Sequence, residues 1–251
     1  MSHLFEVLFY QPILNLLVGL YNTIAFRDLG VAILILTVVI KLVLWPLSHK
    51  SIKSQKSLQD LQPKINEVKK KHPNDKQQQG QAMIELYKEH KVNPFSSCLP
   101  LLLQFPFLIA VFQVFRDGIT NHLGLVYPFV HKPEIINPIA FGFLDLSKPN
   151  IYLAILAGLA QFWQAKMMMA KQPKPVAGSK EEDMSVIMNK QMLYFMPILT
   201  VFIGITLPGG LSLYWLLTTL LTGLQQYLVF KSSSSLVVTP EIIEAEIIEK
   251  K

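Results

Sequence analysis

Lys41 sits inside an apolar run, residues 29–47, that is otherwise interrupted only by Thr37. It lies about six residues, or ~9 Å of helix, from the charged end of that run. A lysine near the centre of a membrane helix costs roughly 2.5–3.5 kcal/mol on insertion scales. Two uses of such a residue compete. Its stem can snorkel toward lipid headgroups, or its ammonium can face a wet cavity within a helix bundle. Position alone leaves both open. Thr37 lies one turn away on the same face. In a later apolar run, 211–230, Trp215, Thr218, Thr222 and Gln225 fall at i, i+3, i+7 and i+10, which is one stripe of a helix. Gln104, Gln161, Gln164 and Thr200 interrupt three further apolar runs. Polar groups within a membrane need partners or water. Interhelical hydrogen bonds could absorb several of them. A whole stripe on one helix with a lysine on another is better explained by a shared hydrated groove, and its chemistry is binding. Catalysis has little support: no histidine falls inside an apolar run, and there is no His-Glu-x-x-His, Gly-x-Ser-x-Gly or phosphate-binding glycine loop. No inverted repeat of the transporter kind is evident.

The elements that must position these residues follow from composition. Of 251 residues, 51% are hydrophobic and 16% charged, against ~25% charged in a soluble domain. That excess must lie in blocks that meet lipid. The single cysteine, Cys98, excludes a disulfide scaffold or a multi-cysteine metal site. A bilayer core of about 30 Å takes roughly 20 apolar residues. Five segments qualify or nearly do: 29–47, 99–115, 151–169, 191–207 and 211–230. Pro208-Gly209-Gly210 reads as a tight turn that makes an antiparallel hairpin of the last two. Residues 4–26 lack the basic region and cleavage site of a signal peptide. Their Gln11, Asn15, Gly19 and Asn22 form one stripe, so residues 1–27 read as an amphipathic helix lying in the interface. A sixth span is the competing reading.

Charge sets the orientation. Ten lysines, from Lys50 to Lys91, lie between the first and second spans, and Lys171, Lys174, Lys180 and Lys190 between the third and fourth. The loop after the second span is balanced, with Arg116, Lys132 and Lys148 against Asp117, Glu134 and Asp145. Lysine-rich loops stay in the cytoplasm. The N-terminus is therefore expected outside, and the tail 231–251 inside. Within the polar stretch 50–91, Ile52, Leu58, Leu61, Ile65 and Val68 keep roughly helical spacing. His72-Pro73-Asn74-Asp75 makes a turn, Ala82, Met83, Leu86 and Tyr87 mark a second helix, and Pro94 ends it. Two antiparallel helices can each cover the other's apolar stripe. The lysines are a solvated topology signal, or an arm near anionic lipid, a nascent chain or ribosomal RNA. The expected fold is an all-α membrane protein: a five-helix core over 28–230, an external amphipathic helix and a cytoplasmic helical hairpin.

The segments IKLVLWPL, LQPKINEVKKKHPND, KVNPFSSCLPLLLQFPF, FMPILTVF and LPGGLSLYW resemble, in order and spacing, those of YidC-type membrane protein insertases, the bacterial branch of the YidC/Oxa/Alb superfamily. The resemblance covers about residues 8 to 230. It implies a bacterial inner-membrane protein that helps hydrophobic segments of new proteins enter the bilayer, alone or beside the Sec translocon. The implied partners are nascent membrane proteins, a transiently bound ribosome and lipids, not DNA, and no cofactor is implied. It also implies a hydrophilic groove with one positive charge, at the position of Lys41, where most bacterial members are expected to carry arginine. Lysine is a single point donor where arginine grips a carboxylate bidentately. Thr37 and Trp215 match positions expected to line the groove; Gln104, Gln161 and Gln164 are candidates by similarity and periodicity. The tail departs from many members, since Glu241, Glu244, Glu246 and Glu249 outweigh Lys231, Lys250 and Lys251. Thr239-Pro240-Glu241 could start a short helix. The large external domain of some members is not expected in a chain of this length. From a different class, a small-solute channel or carrier would use the same polar stripe as a through-path. A third reading is an assembly scaffold working through the hairpin.

Overall fold

The computed structural model describes residues 3–72, 75–94, 99–116, 123–169 and 191–234. Outside the described residues lie the centre of the turn at Pro73-Asn74, Cys98, Asp117, the lysines at 171, 174, 180 and 190, and the tail beyond 234 with its four glutamates.

Eight helices can be followed among the described residues: α1 His3–Thr23, α2 Leu29–Asp60, α3 Gln62–Lys71, α4 Lys76–Glu89, α5 Leu99–Arg116, α6 Ile151–Met169, α7 Gln191–Gly204 and α8 Gly209–Ser234. A short hairpin, β1 Ile139–Ala140 paired antiparallel with β2 Leu144–Asp145, lies between α5 and α6 and adds strand to the all-α expectation. By length and composition, α1 and α2 can each cross a bilayer; Leu102–Arg116 and α7 are apolar but shorter. Two π-helical turns, Glu6–Tyr10 and Gln191–Phe195, each precede a proline at the start of the following α-helical segment, Pro12 or Pro197. Proline has no N–H for the carbonyl four residues back. The ladder shifts there, and Gln11 N–H bonds Glu6 O.

The largest core cluster among the described residues joins α1, α2, α5, α6 and α8. Leu14, Leu17 and Val18 of α1, Ile33 and Leu36 of α2, Val111 and Val114 of α5 and Tyr214 of α8 are all buried in one apolar cluster. Helix α6 lies between α7 and α8 and packs on both, whereas α7 and α8 scarcely touch. The expected hairpin of the last two helices is thus splayed around α6. Small residues permit the approach. A Cβ at Gly158 would stand 3.0 Å from Pro197 O and run into Val201, and one at Gly204 would lie 2.8 Å from the Ala154 Cβ.

Several boundaries differ from the expected ones. Helix α2 does not stop at Leu47 but runs unbroken through Pro46 to Asp60. Loss of hydrophobicity marks where a helix leaves apolar surroundings, not where its backbone ladder ends, and Lys50–Asp60 contains no breaker. Ile52 accordingly packs with Val229 and Phe230 of α8, not within the hairpin. The hairpin is α3 and α4 alone, closed by Leu61, Ile65 and Leu86 with Val68, Met83 and Tyr87. Lys64 Nζ lies 2.7 Å from His90 Nε2 across it. Helix α4 ends before Pro94, at Glu89. Lys91 adopts φ 51°, and Lys91 N–H and Val92 N–H bond Lys88 O and Tyr87 O at 3.1 and 2.9 Å. This is the Schellman arrangement. Gly209 and Gly210 belong to the first turn of α8, where their N–H groups bond Lys148 O and Leu146 O at 2.9 and 3.0 Å. A Cβ on Gly210 would collide with the Phe115 ring.

The segment 123–148 closes one end of the bundle over α1 and the start of α2. Asn15 Nδ2 donates to Leu125 O at 3.3 Å, and Asn15 Oδ1 accepts from Tyr127 N–H at 2.6 Å. Asn22 Nδ2 donates to His131 O at 2.6 Å. Two members of the polar stripe on α1 therefore bond this segment. Asp28 caps α2 by accepting from Val31 N–H at 3.0 Å, and its other oxygen accepts from Phe141 N–H at 2.5 Å. Asp145 accepts from the Ser147 hydroxyl at 2.6 Å and pairs with Lys148 at 3.0 Å, which holds its carboxyl below the ordinary range.

Candidate functional site

Lys41 and the C-terminal half of α8 form the centre of the site. Lys41 Nζ donates to Thr222 Oγ1 at 2.6 Å, and the Thr222 hydroxyl donates to Thr218 O, one turn back, at 2.6 Å. The ammonium is therefore turned toward α8, and among the described residues no carboxylate pairs with it. Two turns further along α2, Ser48 meets Gln225. The Gln225 Nε2 donates to Ser48 Oγ at 3.0 Å, and Ser48 Oγ donates to Leu44 O of its own helix at 2.9 Å. These two polar layers bridge α2 and α8. Beside them is a recess of about 110 Å³, lined by Lys41 and Gln225 and otherwise by apolar side chains such as Val38, Trp45 and Leu221. Its outer edge is made of exposed residues, Leu42, Trp45, Leu224 and Leu228.

The remaining sequence-selected residues are distributed over other helix pairs. Thr37 is fully buried, and its hydroxyl donates to Ile33 O at 2.6 Å within α2. Gln104 Nε2 of α5 donates to Tyr214 OH of α8 at 2.6 Å. Gln161 of α6 accepts from the Thr200 hydroxyl of α7. Gln164 Nε2 of α6 donates to Gln226 Oε1 of α8 at 3.1 Å. Thr218 is buried, and Trp215 is half-buried. The structure thus brings Lys41, Thr222 and Gln225 together. It uses Gln104, Gln161 and Gln164 as ties between helices, the alternative that buried polar groups always offer.

Sequence reasoning missed Ser48, Tyr214 and Gln226. Ser48 had a legible signal, since it falls seven residues after Lys41, two turns along the same face. Tyr214 had none, because an aromatic in an apolar helix reads as core. Beyond Ser48 the same side of α2 stays polar and buried through Ser51, Gln55, Lys56 and Gln59. Lys56 pairs with Asp60 at 2.7 Å, and Gln59 Nε2 donates to Met168 O at the end of α6.

Comparison with known proteins identifies the scaffold that carries this site. The model of the 60Kd inner membrane protein family matches residues 20–235. A membrane protein insertase YidC of Fusobacterium nucleatum subsp. nucleatum is 35% identical over 209 residues, covering 82% of this chain and 88% of the relative. That of Geobacter sulfurreducens is 33% identical over 227 residues, covering 90% of this chain. The chain spans only 38% of the length of that longer relative. Among solved structures, a crystal structure of an active YidC insertase with its first transmembrane domain resolved superposes with a TM-score of 0.57 at 25% identity, covering 89% of this chain and 46% of the other. The chain belongs to the 60Kd inner membrane protein family, the family of the YidC insertases.

Proposed function

We propose that this protein is a membrane protein insertase and chaperone that guides hydrophobic segments of newly made proteins into the bilayer. The observation that carries the reading is the Lys41 ammonium, held by a neutral hydroxyl at the α2–α8 recess and by no carboxylate among the described residues. In this reading the recess is the closed form of a hydrophilic groove. The short polar end of a substrate enters from the cytoplasm and exchanges its water for Lys41, Thr222 and Gln225. An acidic end gains Coulomb attraction in this weakly screened setting. The apolar segment leaves sideways past Trp45, Leu224 and Leu228. Apolar transfer at about 25 cal/mol per Å² supplies the drive. No covalent chemistry is needed, so the protein acts without being an enzyme.

The architecture that goes with this function has five spans, near 29–47, 99–115, 151–169, 191–207 and 211–230. The N-terminus lies outside and the tail 231–251 in the cytoplasm. Residues 1–27 form the external helix, supported by the bonds from Asn15 and Asn22 to the segment after α5. The hairpin within 50–91 is cytoplasmic and offers lysines to a docked ribosome. The Sec translocon is a partner for some clients. Thr37, Trp215 and Thr218 complete the groove wall once α2 and α8 part, while Gln104, Gln161 and Gln164 act as ties that hold α5, α6 and α7 in place around it.

The test is reconstitution. Purified protein in liposomes is expected to insert a single-span substrate with a short acidic external end, read by protease protection. A photocrosslinker at Trp215 is expected to capture that substrate during insertion. Capture of lipid alone, or solute flux without insertion, would overturn the assignment and favour a channel.

A further inference from the structure

We infer that the end of the bundle closed by 123–148 carries a lipid anchor: Phe26, Phe129, Ile135, Phe143 and Tyr152 seat in the headgroup–acyl boundary of the leaflet at that end. The inference rests on the reading that the bundle spans a membrane. The exposures are 91% for Phe26, 84% for Phe129, 77% for Ile135, 80% for Phe143 and 75% for Tyr152. In water Phe26, Ile135, Phe143 and Tyr152 would contribute almost nothing to the fold, and Phe129 only its contact with the Tyr127 ring.

The backbone adds a second, independent observation. Phe26 and Arg27, which link α1 to α2, have φ 53° and 61°. Left-handed backbone costs a bulky residue roughly 1–2 kcal/mol, and glycine or asparagine would avoid most of it. A phenylalanine that is strained and fully presented gains nothing from the protein. It gains from a medium outside the protein that favours aromatic rings, and the bilayer interface is such a medium.

Position identifies the medium further. Phe26 lies three residues before the start of the membrane-length helix α2. The bond from Asn22 to His131 O ties the stretch bearing Phe129 to the same level. The bond from Phe141 N–H to Asp28 ties in the β-hairpin bearing Phe143. Asn150 caps α6 by accepting from Leu153 N–H at 3.0 Å, which puts Tyr152 in the first turn of that helix. At this end Lys148 O also receives the Gly209 N–H that begins α8. These residues therefore share the end of the bundle where apolar helix walls give way to loop. Arg27 and Lys132 adjoin Phe26 and the Phe129 stretch in the sequence, within reach of lipid phosphates.

The experiment uses the whole chain with Cys98→Ser, reconstituted in phosphatidylethanolamine–phosphatidylglycerol liposomes. Single cysteines Phe26→Cys, Phe129→Cys and Phe143→Cys carry a nitroxide. Leu34→Cys, on the exposed side of α2, marks the bilayer, and Glu89→Cys, on the hairpin, marks water. Accessibility to oxygen is compared with accessibility to a nickel chelate. The three phenylalanine sites are expected to favour oxygen, as Leu34 does, while Glu89 favours nickel. Nickel preference at the three sites with oxygen preference at Leu34 overturns the anchor and leaves the span reading intact. Nickel preference at Leu34 as well overturns both. Exclusion of both reagents from the three sites means that protein, such as a second copy, covers them, and this also overturns the anchor.

Discussion

Adjacent residues of α8 face two different neighbours. Gly223 and Gln226 meet α6, while Thr222 and Gln225 meet α2. On the α6 side the Trp163 ring lies where a Gly223 Cβ would be, and Gly158 and Gly204 bring α7 equally close to the opposite side of α6. On the α2 side there is a recess of about 110 Å³; beside it contact is made through a lysine, two hydroxyls and an amide, and apolar packing resumes only further along, where Ile52 meets Val229 and Phe230. Tight packing is lost outright when helices part, because nothing of matching shape replaces it. Hydrogen bonds can be exchanged for those of an incoming polar chain at little net cost. In the proposed mechanism α2–α8 is therefore the seam that opens, and α6–α7–α8 the wall it opens against.

The largest expected effect lies on the seam. Lys41→Ala removes a charge-assisted contact worth about 1.5–3 kcal/mol, or roughly ten- to a hundredfold in insertion rate of an acidic-ended substrate if it acts in the rate-limiting step. Lys41→Arg should retain most of the rate. The control is on the same helix: Lys56 is also buried but already pairs with Asp60. Lys56→Ala should leave insertion unchanged. Equal losses at both positions in a reconstituted assay would mean that insertion depends on both α2 lysines alike, and the seam would lose its special status.

Enlarging one residue on each side of α8 comes next. Gly223→Leu drives a side chain into the Trp163 ring and should lower thermal stability by about 1–3 kcal/mol. Val38→Phe grows into the recess and should preserve the unfolding midpoint in detergent while slowing insertion. If Val38→Phe destabilises as much as Gly223→Leu, the two sides are packed alike.

How much of this asymmetry could be read beforehand depends on the kind of signal. Hydropathy located α6 at its observed ends, Ile151 and Met169, because lipid burial and helix length coincide there. It stopped α2 thirteen residues early, since polar residues from Lys50 onward continue a backbone ladder that hydropathy does not see. Periodicity placed Thr222 and Gln225 on one face correctly. It could not say that Gln225 would meet Ser48 while Gln226 met Gln164, because the spacing within one helix carries no information about which helix lies opposite. Thr37 shows the same limit: its face was legible, but the Ile33 carbonyl that takes its hydroxyl competes locally for any threonine in a helix.

A smaller effect tests the second polar layer. Ser48→Ala removes the acceptor of Gln225 Nε2 and should cost about 0.6 kcal/mol, the average for such bonds between membrane helices. Its consequence for insertion should have the opposite sign, a modest gain, because a seam tied at one layer opens more readily. A fall in insertion alongside the loss of stability would show that the layer grips substrate as well as fastening the helices.

The smallest expected effect falls outside both seam and wall, in the hairpin. Lys91 ends α4 with φ 51°, a conformation that suits glycine. Lys91→Gly relieves roughly 1–2 kcal/mol of left-handed strain and forfeits about 0.4–1 kcal/mol through the more flexible unfolded chain. The net gain of about 0.5 kcal/mol corresponds to roughly twofold slower exchange of the Val92 amide, which bonds Tyr87 O across the cap. The same substitution removes one hairpin lysine without disturbing Leu61, Ile65 or Leu86. If the lysines of this region serve only as a topology signal, insertion rate should be unchanged while the cap tightens. A rate that falls despite the better cap would mean that the Lys91 charge contacts the incoming chain, or the ribosome when one is present, and the hairpin would join the seam in receiving the substrate.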